Sequence, residues 1–159
     1  MGSVTTLATL AEQLTQRGWM LATAESCTGG WIAKCCTDVV GSSTWFDRGF
    51  VTYSNAAKQD MLGVRAETLA QYGAVSEAVV AEMAMGALQH SQAHIAVAVS
   101  GIAGPSGGSV EKPVGTVCFA WAMQHGQVHT ATCLFQGERK AVRLQATEYA
   151  LYGLLQRIG

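Results

Sequence analysis

Between His94 and Ser100 the chain runs Ile95-Ala96-Val97-Ala98-Val99, a strand-length segment without one polar residue. A strand with one wet face alternates apolar and polar side chains, whereas an unbroken apolar strand is covered on both faces. The chain therefore needs a packing layer on each side of a sheet, and its helical patterns can supply them. Over residues 77–91, Val79, Val80, Met83, Ala84, Ala87 and Leu88 recur at helical spacing after a Ser76 cap. Residues 138–157 read as a second helix, with Val142, Ala146, Tyr149, Ala150 and Leu154 inward. Residues 1–17 form an amphipathic helix with Leu7, Leu10, Ala11 and Leu14 on one face. Further strands are predicted over 20–25 and Phe46–Tyr53, and over 115–123 and 128–135 as an antiparallel hairpin turning at Gly126. Shorter helices are predicted over 29–38, from a Ser54-Asn55 cap through Met61 to a stop at Gly63, and over 65–72. The expected fold is α/β, a three-layer α/β/α domain with a mixed parallel/antiparallel sheet. With 159 residues and 49% apolar composition, one domain over residues 1–159 can bury a full core.

Charge and cysteine usage narrow the function classes. The net charge is −1 and Lys and Arg form no basic stripe, so no nucleic-acid partner is expected. Apolar stretches are broken well short of a membrane span, and the first helix lacks the charged-then-apolar order of a signal peptide, so no membrane partner and a cytoplasmic location are expected. The five cysteines (Cys27, Cys35, Cys36, Cys118, Cys133) are odd in number and lack CxxC spacing. Neither a disulfide framework nor a zinc site follows, and Cys118 and Cys133 read as small core residues.

Three strand ends carry the chemistry. In Leu21-Ala22-Thr23-Ala24-Glu25-Ser26-Cys27-Thr28-Gly29-Gly30 a strand gives way to a helix, whose first amides favour an anion or a developing oxyanion. Ser26 is a candidate nucleophile there, and the competing reading is that Ser26 or Thr28 caps the helix. Cys27 is a rival nucleophile, because a helix start lowers a thiol pKa. The second element, Ser100 to Ser109, follows the apolar strand at once and holds four glycines in ten residues. It is neither a Walker loop nor a dinucleotide fingerprint, and reads as a ligand-binding loop or a flexible surface loop. The third is Tyr53-Ser54-Asn55-Ala56-Ala57-Lys58, where a Ser54 cap puts Lys58 one turn into a helix. His90, His94, His125 and His129 adjoin no glycine-rich strand end, so a lysine of lowered pKa is the available base for a serine. The competing reading of Lys58 is a solvated surface side chain.

These blocks, with Gly73-Ala74-Val75-Ser76 and Lys112-Pro113-Val114-Gly115-Thr116-Val117, resemble the C-terminal domain of the competence/damage-inducible protein CinA across nearly the whole chain. Stand-alone members of that family are nicotinamide-nucleotide amidases, which convert nicotinamide mononucleotide to nicotinic acid mononucleotide and ammonia in pyridine-nucleotide recycling. The resemblance implies Ser26 as nucleophile, Lys58 as its activator and Tyr53 as a hydroxyl near both, with no metal and no cofactor. Amides around Cys27, Thr28, Gly29 and Gly30 would hold the oxyanion. Candidates to bind the nucleotide are Asn55, Ser42 in Gly41-Ser42-Ser43, and Gly101, Gly104, Ser106 and Gly107 in the glycine loop. Arg139 joins them and is preferred to Arg143 because it adjoins Gly137-Glu138. The family's usual Asp and Thr are replaced by Glu138 and Ser106. A homodimer or higher homo-oligomer is implied too. The alternative is a catalytically silent paralogue that binds a nucleotide as a regulatory or interaction module.

Overall fold

The computed structural model describes residues 2–158, with side chains from Val4 onward. Met1 and Gly159, included in the expected first helix and domain span, lie outside the described residues. In chain order the elements are α1 (Gly2–Arg17), β1 (Leu21–Glu25), α2 (Trp31–Thr37), a 3₁₀ turn (Ser42–Thr44), β2 (Phe46–Val51), α3 (Asn55–Leu62), α4 (Ala66–Tyr72) and α5 (Glu77–Gln89). The remainder are β3 (Ile95–Gly101), β4 (Thr116–Met123), β5 (Val128–Leu134) and α6 (Arg139–Ile158). The five strands form one sheet in the order β2-β1-β3-β4-β5, parallel among β2, β1 and β3 and antiparallel from β3 through β5. This is the expected three-layer α/β/α fold with a mixed sheet. No helix among the described residues is long and apolar enough to cross a membrane.

The alternation of large and small residues along the strands decides which helices cover which face. Leu21, Ile95, Val97, Val99, Val117, Phe119 and Trp121 pack with α1, α2 and α6 through Leu10, Leu14, Ile32, Val142, Ala146 and Leu154. Ala22, Ala24, Ala96, Ala98, Cys118, Ala120 and Ala122 present a shallow opposite face. There α5 settles close to the sheet through Val79, Val80, Met83, Ala84 and Ala87. Ile95 to Val99 are 0% exposed, as a strand covered on both faces requires.

The local punctuation follows from side chains. Ser54 and Ser76 cap α3 and α5 by accepting the amides of Ala57 and Val79, and α3 stops at Gly63, whose φ of 71° suits glycine. The sheet order runs outward from β1 in both directions, the arrangement in which α/β sheets open a crevice at the carboxyl ends of their strands. Ser26, Thr52 and the glycine loop all emerge at that end.

Candidate active site

Glu25 ends β1, and its side chain builds the turn that carries Ser26. One carboxyl oxygen accepts from the Thr28 hydroxyl at 2.6 Å, the Gly30 amide at 3.2 Å and the Ile32 amide at 3.0 Å. The other accepts from the Ala33 amide at 2.9 Å. An acidic group at a helix start satisfies amides that have no partner within the helix and meets the positive end of its dipole. Gly30 at the boundary has φ 100° and no side-chain cap of its own. The expectation that Ser26 or Thr28 caps this helix is thus corrected. Glu25 does so from outside the helix, Thr28 is one of its donors, and Ser26 Oγ is left for other partners.

Glu25→Ala is expected to destabilise the fold by about 3 kcal/mol or more, because several buried donors lose their acceptor at about 1–3 kcal/mol each. Glu25→Gln should fall between, since its NH₂ cannot accept the Ala33 amide proton. Urea unfolding midpoints test this, and an unchanged midpoint in Glu25→Ala contradicts the capping role.

Lys58 meets Ser26 from the other side. Its side chain is 1% exposed. Nζ donates to the carbonyls of Thr52 at 3.1 Å and Tyr53 at 3.0 Å, and lies 3.1 Å from Ser26 Oγ. The ion pairs among the described residues, Lys34–Asp38, Asp47–Arg48 and Arg65–Glu67, do not involve it. Burial without a carboxylate partner pushes the Lys58 amine below its ordinary value of 10.5. Two carbonyls, which can only accept, occupy two N–H groups. In the neutral amine the remaining position is a lone pair directed at the serine hydroxyl. The solvated-surface reading of Lys58 does not survive this burial. The helix bearing it is seated by Gly86 of α5, where a Cβ would collide with the Leu62 carbonyl at the end of α3.

Ser26 and Lys58 lie in a cleft of about 340 Å³ together with Cys27, Tyr53, Asn55, Gly101, Gly104, Ser106, Gly107 and Arg139. The glycine loop is tied down rather than loose. Ile102 exchanges backbone hydrogen bonds with Thr116 and Gly115, and Arg139 Nη1 donates to the Gly104 carbonyl at 2.8 Å. Ala74, Val75, Ser100, Ile102 and Ala103, the last three within the glycine-rich segment read as a ligand-binding loop, also line the cleft. The Gly73–Ser76 block was the available signal for the first two.

Four expected contributions differ. Ser42 lies in the turn leading into β2, whose first residue pairs with Leu21 at the start of β1, so it sits at the opposite end of the sheet from Ser26. Thr28, Gly29 and Gly30 line a neighbouring, more open depression with Trp31, Lys34 and Arg143. Of the turn amides, Gly29 donates to the Ser26 carbonyl and Gly30 to Glu25. That leaves Cys27 and Thr28 as the turn amides that donate to no other residue among those described. The Tyr53 ring is 70% exposed and its hydroxyl bonds to neither Ser26 nor Lys58; its carbonyl does, accepting from Ser26 Oγ at 3.4 Å and from Lys58. Arg143, set aside for the phosphate in favour of Arg139, braces the turn by donating to the carbonyls of Cys27 at 2.9 Å and Thr28 at 3.1 Å.

Cys27 also borders the cleft, but burial pushes its thiol up to about 12, the reverse of the depression expected for a thiol at an open helix start. With the helix amides engaged by Glu25, the field that would favour a thiolate is already spent. Cys27→Ala is expected to keep turnover within about threefold of wild type, and the folded protein should resist iodoacetamide at Cys27 at neutral pH. Rapid alkylation there, with loss of activity, would contradict this.

Residues 4–158 match the CinA C-terminal domain. The chain is 62% identical to the nicotinamide-nucleotide amidohydrolase PncC of Escherichia coli over 93% of its own length and 92% of that protein. It is 53% identical to the Pseudomonas putida protein of the same name over 98% of both. Among solved structures, the competence/damage-inducible protein CihA of Agrobacterium tumefaciens superposes with a TM-score of 0.96 at 46% identity, covering 98% of this chain and 95% of that one. A strand-end serine, a buried lysine and a glycine loop on this fold, with such relatives along nearly the full length, lead to one conclusion: the chain belongs to the CinA C-terminal domain family.

Proposed function

We propose that the chain is a single-domain nicotinamide-nucleotide amidohydrolase, which hydrolyses the carboxamide of nicotinamide mononucleotide to nicotinic acid mononucleotide and ammonia in pyridine-nucleotide recycling. The observation that carries the reading is the buried Lys58 amine 3.1 Å from Ser26 Oγ at a cleft. Relatives whose names state this activity support the choice of substrate.

In this reading neutral Lys58 takes the Ser26 proton as Oγ attacks the carboxamide carbon. The tetrahedral oxyanion draws on the Cys27 amide, the turn amide whose residue borders the cleft. Lys58 then gives the proton to the departing nitrogen, releasing ammonia and leaving the nicotinate esterified to Ser26. Water, deprotonated by the same amine, hydrolyses the ester and regenerates the serine. The Tyr53 and Thr52 carbonyls keep the amine aimed. Arg139, with Gly101, Gly104, Ser106 and Gly107, forms the phosphate end of the cleft, and Asn55 stands at its mouth. The reading places the enzyme in the cytoplasm as a homo-oligomer.

The direct test is incubation of purified protein with nicotinamide mononucleotide while ammonia is followed. Release in step with nicotinic acid mononucleotide is expected. Tight nucleotide binding without release would instead identify a silent binding module.

A further inference from the structure

Arg143 leaves α6 beside the Ser26 turn and grips it from the side away from the cleft. Its Nε donates to the Cys27 carbonyl at 2.9 Å and its Nη2 to the Thr28 carbonyl at 3.1 Å. The Thr28 carbonyl also accepts from the Trp31 amide, whereas the Cys27 carbonyl accepts from no other described residue. The guanidinium lies over the Trp31 ring, with Cζ 5.6 Å from its centroid, in the depression that borders the cleft. It passes close to Gly29, where a Cβ would sit 3.3 Å from Nη2. A planar fork with two acceptors and a ring beneath it is held in one orientation. Arg139, one turn earlier on the same helix, holds the Gly104 carbonyl, so the opening of α6 secures both walls of the cleft.

The grip controls the backbone on either side of Cys27. The Ser26 carbonyl is fixed by the Gly29 amide at 3.2 Å. In a trans peptide the N–H points opposite to its carbonyl, so that bond sets the direction of the Cys27 N–H. The next peptide is set by Arg143, because a carbonyl with one partner stays where that partner is. Without the guanidinium, the Cys27 carbonyl is free to rotate toward water in the cleft, which Cys27 borders. A carbonyl oxygen would then stand beside the position where the substrate oxygen gains negative charge. Charge acts in the same direction. Glu25 directly precedes the nucleophile, is 1% exposed and belongs to none of the ion pairs among the described residues. Its negative charge opposes an oxyanion, and Arg143 is the cation bonded to the same turn. Behind the dominant effect of burial, the Cys27 thiol feels both, with Glu25 pushing it up and Arg143 pulling it down.

We propose that Arg143 is a positioning residue for the hydrolysis. By holding the Cys27 carbonyl out of the cleft and offsetting Glu25, it keeps the Cys27 amide aimed at the oxyanion that forms when Ser26 attacks. It touches no substrate atom and transfers no proton. This rests on the amidohydrolase reading for its natural substrate but not for its chemistry, since any acyl group attacked by Ser26 develops the same charge.

The test compares wild type, Arg143→Ala and Arg143→Lys on nicotinamide mononucleotide and on 4-nitrophenyl acetate, an acyl donor without a nucleotide. Misplacing a catalytic group by about 1 Å costs about 10²-fold in rate. That loss in kcat is expected for Arg143→Ala on both substrates, with KM for the nucleotide changed less than about threefold. Arg143→Lys, which keeps the charge but not the fork, should recover only part of it. A second measurement is inhibition by pyridine-3-boronic acid, which forms a tetrahedral adduct on an activated serine. Its inhibition constant should weaken about tenfold or more in Arg143→Ala, while inhibition by the planar product nicotinic acid mononucleotide stays unchanged. A substitution that only lowers the amount of folded protein leaves both inhibition constants where they were. If the ester shows the Arg143 effect while nicotinamide mononucleotide is not turned over, the substrate reading falls and the role of Arg143 stands. If Arg143→Ala keeps wild-type kcat on the ester, or loses it with the boronate constant unchanged, the inference is overturned.

Discussion

Replacing Ser26 with alanine is expected to lower ammonia release from nicotinamide mononucleotide by about 10⁴-fold or more, the scale on which a covalent mechanism collapses when its nucleophile is removed. The fold should persist. Ser26 Oγ has two hydrogen-bond neighbours, the Tyr53 carbonyl at a long 3.4 Å and Lys58 Nζ at 3.1 Å, and Lys58 keeps its bonds to the Thr52 and Tyr53 carbonyls without it. The turn itself is held by Glu25 and Arg143 through groups that the substitution leaves in place. An unfolding midpoint within about 1 kcal/mol of wild type is therefore expected beside the lost turnover. Nicotinamide mononucleotide should still bind, because the glycine loop and Arg139 are untouched. Near wild-type turnover in Ser26→Ala would remove the serine from the mechanism.

Lys58→Met should cost about 10³-fold or more in kcat, since it deletes the group that both accepts and returns the proton. Lys58→Arg should not rescue, because a guanidinium stays protonated. Wild-type turnover should rise with pH as the amine deprotonates, with its midpoint below 10.5, and the methionine variant should lack that inflection. Stability gives an independent reading of the same group. The folded-state pKa lies below the unfolded value, so between the two the unfolded chain holds the extra proton. Stability therefore rises with pH through that interval, and the lysine's contribution is complete above about 10.5. Relative to Lys58→Met, wild type should gain stability from neutrality toward that limit. A difference between the two that does not vary with pH would mean that Lys58 titrates as it does in the unfolded chain.

The elements governed by local pattern were legible in the sequence. The apolar run of β3 announced a strand covered on both faces, and Ser54 and Ser76 marked the starts of α3 and α5 because a hydroxyl before a helix accepts the third amide onward. What escaped depends on the chain folding back on itself. Glu25 reaches amides five, seven and eight residues ahead, a cap that no single-position preference reveals. Arg143 grips carbonyls 115 and 116 residues earlier, which only the docking of α6 beside the Ser26 turn brings about. Gly41-Ser42-Ser43 reads like any anion-binding turn, and its place at the far end of the sheet is settled by which end of β2 it precedes. Tyr53 was read by its hydroxyl, whereas its backbone carbonyl is the group within reach. Ser100 passed as the first residue of a glycine-rich loop and is instead part of the strand, side by side with Ser26.

The most direct measurement is rapid-quench mass spectrometry of the protein mixed with nicotinamide mononucleotide, with the modified peptide sequenced by fragmentation. The account predicts a nicotinate mononucleotide acyl group on the Ser26 oxygen, formed before product accumulates and absent from Ser26→Ala. The same acyl group found as a thioester on Cys27, or on any residue other than Ser26, would contradict it.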